Sequence, residues 1–194
     1  MIGADLGDQL LASSSSTAAS PPDDLRSDLR SERPGLRTDP RAALGEADGA
    51  VPDDATVFDD ETPGVANLDP ALLGAIRQAA ADAADEGVEF FVQSGWRSQE
   101  YQQHLLQEAV SEYGSEEEAA RWVATPDTSA HVSGDAIDIG PSDAASWLSE
   151  HGSAYGLCQI YGNEPWHFEL RPEAIDAGCP AMYADPTQDP RMQQ

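Results

Sequence analysis

Two short motifs constrain this chain most, because each places polar side chains next to residues that favour strands or turns. The first runs from Ser129 to Asp138 (SAHVSGDAID) and the second from Glu164 to His167 (EPWH). Together they supply two imidazoles and spaced carboxylates. A catalytic zinc takes three protein ligands from such groups and leaves a fourth position to water. A spare carboxylate can then act as general base, so the motifs indicate zinc-dependent hydrolysis.

The first motif requires a turn between its polar ends. His131 and Asp138 are separated by an odd number of positions, which would place them on opposite faces of an unbroken strand. Gly134 is a natural site for the turn because glycine adopts positive φ without penalty. The alternation over 136–139 predicts a half-buried strand, with Asp138 on the face opposite Ile137 and Ile139.

The second motif has two competing local interpretations. A helical turn would align Glu164 with His167, which follows three residues later. Pro165, however, disfavours the helical region for the residue before it. We therefore expect an extended or bulged segment with Trp166 between the two polar residues. His104 and His151 have no comparable motif around them and are interpreted as non-ligands.

The remaining pattern predicts helices and strands without regular alternation. Predicted helices cover 70–86, 98–113, 115–124 and 143–155, and predicted strands cover 88–94, 136–139, 160–161 and 166–170. Asp69 followed by Pro70 is typical of a helix start, and Gly87 of a helix end. We expect an α+β fold with a small antiparallel sheet and flanking helices.

Composition divides the chain into three parts. Residues 1–55 are rich in Ser, Pro and Asp with few large apolar side chains, which predicts a disordered acidic tail or linker. The folded domain is expected at 56–185 and a flexible C-terminus at 186–194. No run approaches the roughly 18 apolar residues of a membrane span, and no signal peptide is evident at the N-terminus.

The charge of the chain excludes some partners. The formal net charge is −26, and all ten basic residues are arginine. Such acidity argues against binding to nucleic acid or to anionic membranes. It also agrees with a simpler role in solubility, for instance in a salty environment.

Cys158 and Cys179 are the only cysteines and flank the second motif. Their spacing is not that of a Cys-x-x-Cys metal pair. They are either two buried thiols of a cytosolic protein or a disulfide that closes the loop carrying the motif.

The motifs resemble those of a known family. The pattern Ser-x-His-x-x-Gly-x-Ala-x-Asp followed by Glu-x-x-His is similar to that of VanY-type D-alanyl-D-alanine carboxypeptidases, which are zinc peptidases. An upstream element, Ser94-Gly95-Trp96-Arg97-Ser98, also fits, with Trp96 where the family usually has Tyr. The resemblance covers roughly residues 65 to 180 and implies a hedgehog/DD-peptidase-like fold.

The resemblance also implies roles for individual residues. It implies zinc binding by His131, Asp138 and His167, with Glu164 as catalytic base. Arg97 is expected near the substrate, where it polarises the scissile carbonyl or holds a carboxylate. The residues expected to line the substrate pocket are Ser129, Gln102 and Trp166.

The implied activity is removal of the terminal D-alanine from peptidoglycan stem peptides, by a monomer located outside the cell or at the cell wall. That location favours the Cys158–Cys179 disulfide. The alternatives are an L,D-carboxypeptidase or endopeptidase on the same scaffold, or an inactive zinc-stabilised wall-binding module. Glu164 favours an enzyme, because a binding module has no need of a spare carboxylate beside the metal.

Overall fold

A four-stranded antiparallel sheet forms the centre of the computed structural model, which describes residues 44–193. Its strands are β1 (Phe91–Ser94), β2 (Ala136–Gly140), β3 (Leu157–Gln159) and β4 (His167–Leu170). They lie in the order β1-β2-β4-β3, and every neighbouring pair is antiparallel. The predicted α+β class is confirmed. A closing hairpin is present and its second strand β4 matches the prediction, but its first strand β3 ends at Gln159, before the predicted strand 160–161.

Seven α-helices accompany the sheet in the part of the chain that the structure describes. They are α1 (Pro63–Ala66), α2 (Pro70–Asp85), α3 (Gln99–Tyr113), α4 (Glu116–Ala119), α5 (Ala130–Ser133), α6 (Ser142–His151) and α7 (Ala174–Ala177). Short 3-10 helices occur at Glu46–Asp48, Gly152–Tyr155, Pro186–Gln188 and Pro190–Gln193. None of these helices is long and apolar enough to span a membrane.

Helix α2 packs one apolar face against the sheet and forms the main core. Its buried residues are Leu72, Ile76, Ala79, Ala80 and Ala83. They belong to the same cluster as Ile137 and Ile139 of β2 and Phe168 of β4. The helix begins where the Asp69 side chain accepts hydrogen bonds from the amides of Ala71 and Leu72, an N-cap that satisfies otherwise unpaired donors.

Strand β2 is buried along its whole length, whereas the sequence predicted a half-buried strand. The alternation itself holds, because Ile137 and Ile139 lie in the core cluster and Asp138 points to the other face. That second face is covered by polar site residues and by the C-terminal part of the chain. Asp138 is in register with Ser94 of β1 and with His167 of β4.

The packed domain begins before residue 56, the predicted boundary. Ser98 donates its amide to the Asp48 carbonyl at 2.8 Å and its hydroxyl to the Asp48 carboxylate at 3.1 Å. The amide of Val92 in β1 donates to the carbonyl of Ala55 at 2.8 Å. Residues 44–55 therefore pack on the domain, and the rest of the predicted tail lies outside the described residues.

The segment 186–193 is docked on the domain, in contrast to the flexible C-terminus that we predicted. Asp189 is completely buried and accepts a hydrogen bond from the Tyr161 hydroxyl at 3.0 Å. Arg191 donates to the buried carboxylate of Glu169. Buried charges hold this segment, and its polar composition gives no sign of that in the sequence.

Candidate metal centre and active site

The three predicted metal ligands meet on one face of the sheet. His131 comes from α5, Asp138 from the middle of β2 and His167 from the start of β4, and one ligand atom of each lies within 4.8 Å of the others. Asp138 Oδ1 lies 3.4 Å from His131 Nε2 and 3.1 Å from His167 Nδ1. All three residues are buried.

A left-handed glycine connects the first two members of this cluster. Gly134 has φ +81° and ends α5, so the chain reverses between His131 and β2. Its carbonyl accepts the Asp69 amide at 2.9 Å. A Cβ atom at this position would lie 2.7 Å from the Asn67 carbonyl oxygen. The expected turn is therefore present, and both its conformation and its close packing require glycine.

Each imidazole is oriented by a partner on the nitrogen that faces away from the cluster. His131 Nδ1 lies 2.8 Å from the Gly95 carbonyl oxygen, and that oxygen can only accept a hydrogen bond. His167 Nε2 lies 3.3 Å from Glu169 Oε1. These contacts leave His131 Nε2 and His167 Nδ1 to face Asp138. Partners of this kind are typical of metal-binding histidines, because they fix the tautomer and the ring orientation.

The cluster has the electrostatics of tightly coupled buried groups. Burial lowers the pKa of His131, and the charge of Arg97 lowers it further. Burial opposes ionisation of Asp138, but the two histidines hold its pKa well below the usual range. Burial would also lower the pKa of His167, yet hydrogen bonds to Asp138 and Glu169 raise it to about 10. Asp138 is therefore ionised, and a bound cation would take the place of the protons on the imidazoles.

Arg97 lies at the edge of the cluster and is held by three side chains. Its Nε donates to Ser94 Oγ at 2.7 Å, one Nη donates to Gln102 Oε1 at 3.1 Å, and the other donates to Asp138 Oδ2 at 3.3 Å. Gln102 in turn donates to the Ala124 carbonyl at 2.8 Å. The two oxygens of Asp138 thus have different partners, with Oδ1 toward the histidines and Oδ2 toward Arg97.

Glu164 is brought to the cluster by a tight turn, whereas the sequence predicted an extended or bulged segment. The His167 amide donates to the Glu164 carbonyl at 3.1 Å, which closes a four-residue turn. Pro165 occupies the second position of this turn, where its fixed φ is favoured. The sequence argument considered only the restriction on the residue before proline and missed this turn chemistry.

The Glu164 carboxylate has a free oxygen inside the protein. Its Oε2 lies 3.8 Å from His167 Nδ1, while Oε1 is buried without a hydrogen-bond partner. Burial raises the pKa of Glu164 to about 7, although the charge of His167 works in the opposite direction. An unpartnered buried oxygen is costly unless another group satisfies it. This orphan oxygen and the His-Asp-His donor set fit a metal ion with a water molecule.

The other residues predicted to line the substrate pocket lie next to residues of the cluster or to residues that contact it. Gln102 contacts Arg97, as described above. Ser129 is buried at the start of α5, directly before the segment that carries His131. Trp166 is half-buried in the turn between Glu164 and His167, and its carbonyl accepts the Ile139 amide at 2.9 Å. The roles of these residues toward a substrate stay predictions.

Sequence reasoning missed Glu169, Arg191 and Tyr161. Glu169 is completely buried and lies on the same side of β4 as His167, two positions earlier, so strand alternation could have indicated it. The Tyr161 ring centroid lies 5.3 Å from that of His167. Arg191 is remote from every motif in the sequence, and no local pattern points to it.

The two cysteines are joined in a disulfide. Cys158 lies in β3 opposite Glu169 of β4, and its Cα is 5.5 Å from that of Cys179. The bond therefore closes the chain segment that contains Glu164 and His167.

Comparison with solved structures supports the same architecture. A vancomycin-resistance D,D-pentapeptidase VanY mutant from a VanB-type resistance cassette, in complex with Zn(II), is 29% identical with a TM-score of 0.53, over 57% of this chain and 75% of the other. VanYB in complex with D-alanine-D-alanine is also 29% identical with a TM-score of 0.53, over 57% of this chain and 74% of the other.

Comparison of sequences identifies the family. A D-alanyl-D-alanine carboxypeptidase of Enterococcus faecalis (strain ATCC 700802 / V583) is 34% identical over an alignment of 126 residues, and the match covers 52% of this chain and 46% of the relative. The chain thus matches less than half the length of that relative. Residues 66–173 match the VanY profile, described as D-alanyl-D-alanine carboxypeptidase. Because this match spans more than half of the 194 residues, the chain belongs to the VanY family.

Proposed function

We propose that this protein is a zinc-dependent D-alanyl-D-alanine carboxypeptidase that trims the terminal D-alanine of peptidoglycan stem peptides. The observation that carries the proposal is the orphan oxygen of Glu164 beside a three-residue donor cluster. The relatives add support, since one similar structure holds Zn(II) and another holds D-alanine-D-alanine.

Three side chains would hold the metal. His131 would bind through Nε2 and His167 through Nδ1, because their other nitrogens face Gly95 and Glu169. Asp138 would bind through Oδ1, the oxygen between the two rings. When bound, zinc acidifies a water molecule and polarises a carbonyl group. Three protein donors are the number that catalytic zinc sites typically offer, which would leave a further position to water.

Glu164 would move the proton. Its pKa near 7 suits a general base that must be ionised at neutral pH and yet be able to hold a proton during the reaction. In this mechanism Glu164 takes a proton from the attacking water and delivers it to the leaving nitrogen of the terminal D-alanine. The absence of a protein partner on Oε1 leaves that oxygen to the water.

Arg97 would hold the substrate. Its contacts with Ser94, Gln102 and Asp138 use three of the five N–H groups of the guanidinium. The others are available to a negatively charged group. A carboxypeptidase substrate offers two such groups, the C-terminal carboxylate and the oxyanion that develops at the scissile carbonyl. Arg97, which contacts the predicted ligand Asp138, offers a fixed positive charge to either of them.

We place the protein outside the cell or at the cell wall, where peptidoglycan lies. The Cys158–Cys179 disulfide supports this placement, because disulfides persist mainly in oxidising compartments.

Mass spectrometry of muropeptides tests the proposal. The zinc-loaded protein is incubated with stem pentapeptides that end in D-Ala-D-Ala, with tetrapeptides that end in a single D-Ala, and with cross-linked dimers. We expect loss of one alanine from the pentapeptide only, and none with Glu164→Gln. Cleavage of the tetrapeptide instead would indicate an L,D-carboxypeptidase, and cleavage of the dimer an endopeptidase. Binding of fragments without any cleavage would indicate a wall-binding module.

A further inference from the structure

Glu169 is a fully buried carboxylate that the proposed reaction does not use. It lies behind His167, on the side away from Asp138, and its Oε1 is 3.3 Å from His167 Nε2. An ionised carboxylate can only accept hydrogen bonds, so it requires an N–H at His167 Nε2. In the neutral imidazole that binds a metal, this requirement leaves the lone pair of His167 on Nδ1, the atom that faces Asp138.

A buried carboxylate stays ionised only where cations pair with it. Arg191 supplies two hydrogen bonds, at 2.7 Å to Oε2 and 3.2 Å to Oε1 of Glu169. Arg171 supplies a third, at 2.6 Å to Oε2. Both oxygens of Glu169 are therefore occupied, and its carboxylate group is fixed relative to the His167 ring.

The Arg191 guanidinium is itself fixed from the opposite side. Its Nε lies 2.9 Å from Asp189 Oδ2 and 3.1 Å from Oδ1, and one Nη lies 3.4 Å from the Tyr161 hydroxyl. Asp189 is completely buried. A planar guanidinium held by two carboxylates fixes the orientation of both carboxylates better than the flexible ammonium of a lysine would. The network thus runs from the docked C-terminal segment through Glu169 to a predicted metal ligand.

We infer that Arg191 is a positioning residue for the metal site, acting through Glu169 to hold the His167 ring with Nδ1 directed at the metal. The inference rests on the proposed metal site and extends it to residues 185–193. Those residues lie beyond 66–173, the part of the chain that matches the family profile. The metal site of this chain is therefore completed by a segment outside the matched region.

Metal affinity tests the inference without reference to catalysis. Zinc dissociation constants are measured by competition with a chromophoric chelator for wild type, Arg191→Gln and Arg191→Lys. Arg77→Gln is the matched control. Arg77 is paired with the exposed Asp60, and its replacement by Gln removes one positive charge, as Arg191→Gln does. Loss of a group that orients a metal ligand typically weakens binding ~10- to 100-fold. We expect such a loss for Arg191→Gln, a smaller one for Arg191→Lys and none for Arg77→Gln.

Two further readouts separate positioning from general stability. The absorption bands of Co(II) bound in place of zinc report ligand geometry, and we expect them to change in Arg191→Gln but not in Arg77→Gln. Glu169→Gln should lower affinity as well, and the double variant should lose little more, because the two residues act as one unit.

Unchanged affinity and Co(II) bands in both Arg191 variants would overturn the inference. Additive losses in the double variant would also overturn it. Wild type that binds no zinc would instead refute the proposed metal site. If Arg191→Gln does not fold, the zinc affinity and Co(II) bands of Arg191→Lys are compared with those of wild type, and unchanged values overturn the inference.

Discussion

Asp138 Oδ1 lies 3.1 Å from His167 Nδ1, and the two residues face each other in register on β2 and β4. This pairing makes the sheet itself the scaffold of the candidate metal centre. Two of the three donors are fixed by strand pairing, and the third, His131, is placed by the turn at Gly134. Sites built on regular elements hold their geometry more precisely than sites built on loops.

The first prediction concerns the three donors. Alanine at His131, Asp138 or His167 removes one of three ligands, so each variant should contain well below one zinc per chain by elemental analysis. His104→Ala is the matched control, because His104 lies on α3 and pairs with Glu108. It should retain full zinc content. Full zinc content in His131→Ala would show that the ligand set is wrong.

The second prediction concerns the pH dependence of Glu164. Burial raises its pKa to about 7, so the ionised base is lost as the pH falls through that value. A bound cation lowers the pKa of a nearby carboxylate. We therefore expect kcat/KM to fall on the acid side, with an apparent pKa at or below about 7.

Glu164→Gln keeps the size of the side chain and removes the base. General-base catalysis contributes typically ~10² to 10⁴ in rate, so kcat should fall at least about a hundredfold. Zinc content should stay at the wild-type level. Loss of zinc together with activity would make Glu164 a ligand, and normal turnover would show that another group is the base.

Much of this architecture follows from local sequence signals. Asp69 and Pro70 mark the start of α2, and Ile137 and Ile139 mark the core face of β2. The odd spacing from His131 to Asp138 requires a turn, and Gly134 provides it. These signals depend on residues close together in the chain, which is why sequence alone reveals them.

The rest depends on contacts between distant segments. Glu164 reaches His167 through a proline turn, which the restriction on the residue before proline allows but does not specify. Asp48 hydrogen bonds to Ser98 across fifty positions, and Arg191 reaches Glu169 across twenty-two. Nothing near Asp48 or Arg191 in the sequence distinguishes them from exposed polar residues. Hydrogen bonds to distant segments, rather than burial of their own side chains, give both residues their importance.

The third prediction separates two reasons why position 134 requires glycine, the left-handed backbone conformation and the close contact that a Cβ atom would make. Gly134 and Gly114 both have φ +81°, but a Cβ at Gly134 would meet the Asn67 carbonyl at 2.7 Å, whereas nothing lies within 4 Å at Gly114. Gly114→Ala should therefore lower the free energy of unfolding by about 1–2 kcal/mol, the cost of the left-handed conformation. Gly134→Ala should lower it by about 1–3 kcal/mol more, because the packed backbone must shift.

Urea denaturation of both metal-free variants measures this difference. Zinc affinity should fall only in Gly134→Ala, since this turn places His131 relative to Asp138. Equal destabilisation of the two variants would show that the close contact at Gly134 relaxes without cost.

The fourth prediction concerns the disulfide between Cys158 and Cys179. Thiol titration of denatured, unreduced protein should detect no free thiol. The double variant Cys158→Ala/Cys179→Ala should unfold with a free energy lower by about 2–4 kcal/mol, the usual stabilisation by such a bond. Two free thiols in protein recovered from outside cells would contradict both the bond and its proposed role in an oxidising compartment.

The fifth prediction concerns the N-terminal boundary of the domain. A chain that begins at Leu44 keeps the Asp48–Ser98 and Ala55–Val92 hydrogen bonds, whereas a chain that begins at Val57 loses both. Ser98 is the N-cap of α3 and directly follows Arg97, so the shorter chain should loosen the segment that carries Arg97. We expect the Leu44 chain to match the full chain in unfolding free energy and in kcat/KM, and the Val57 chain to show lower values of both.

The variant Asp48→Asn isolates one of these contacts within the full chain. It keeps the backbone bond from Ser98, and its amide oxygen can still accept the Ser98 hydroxyl, but its amide nitrogen cannot accept the Gly45 amide that Asp48 Oδ2 accepts at 3.3 Å. Its loss of stability should therefore be smaller than that of the Val57 chain. Identical stability and activity in the Leu44 and Val57 chains would show that residues 44–56 do not support the site. Lower activity of the Leu44 chain than of the full chain would place a functional contribution before residue 44.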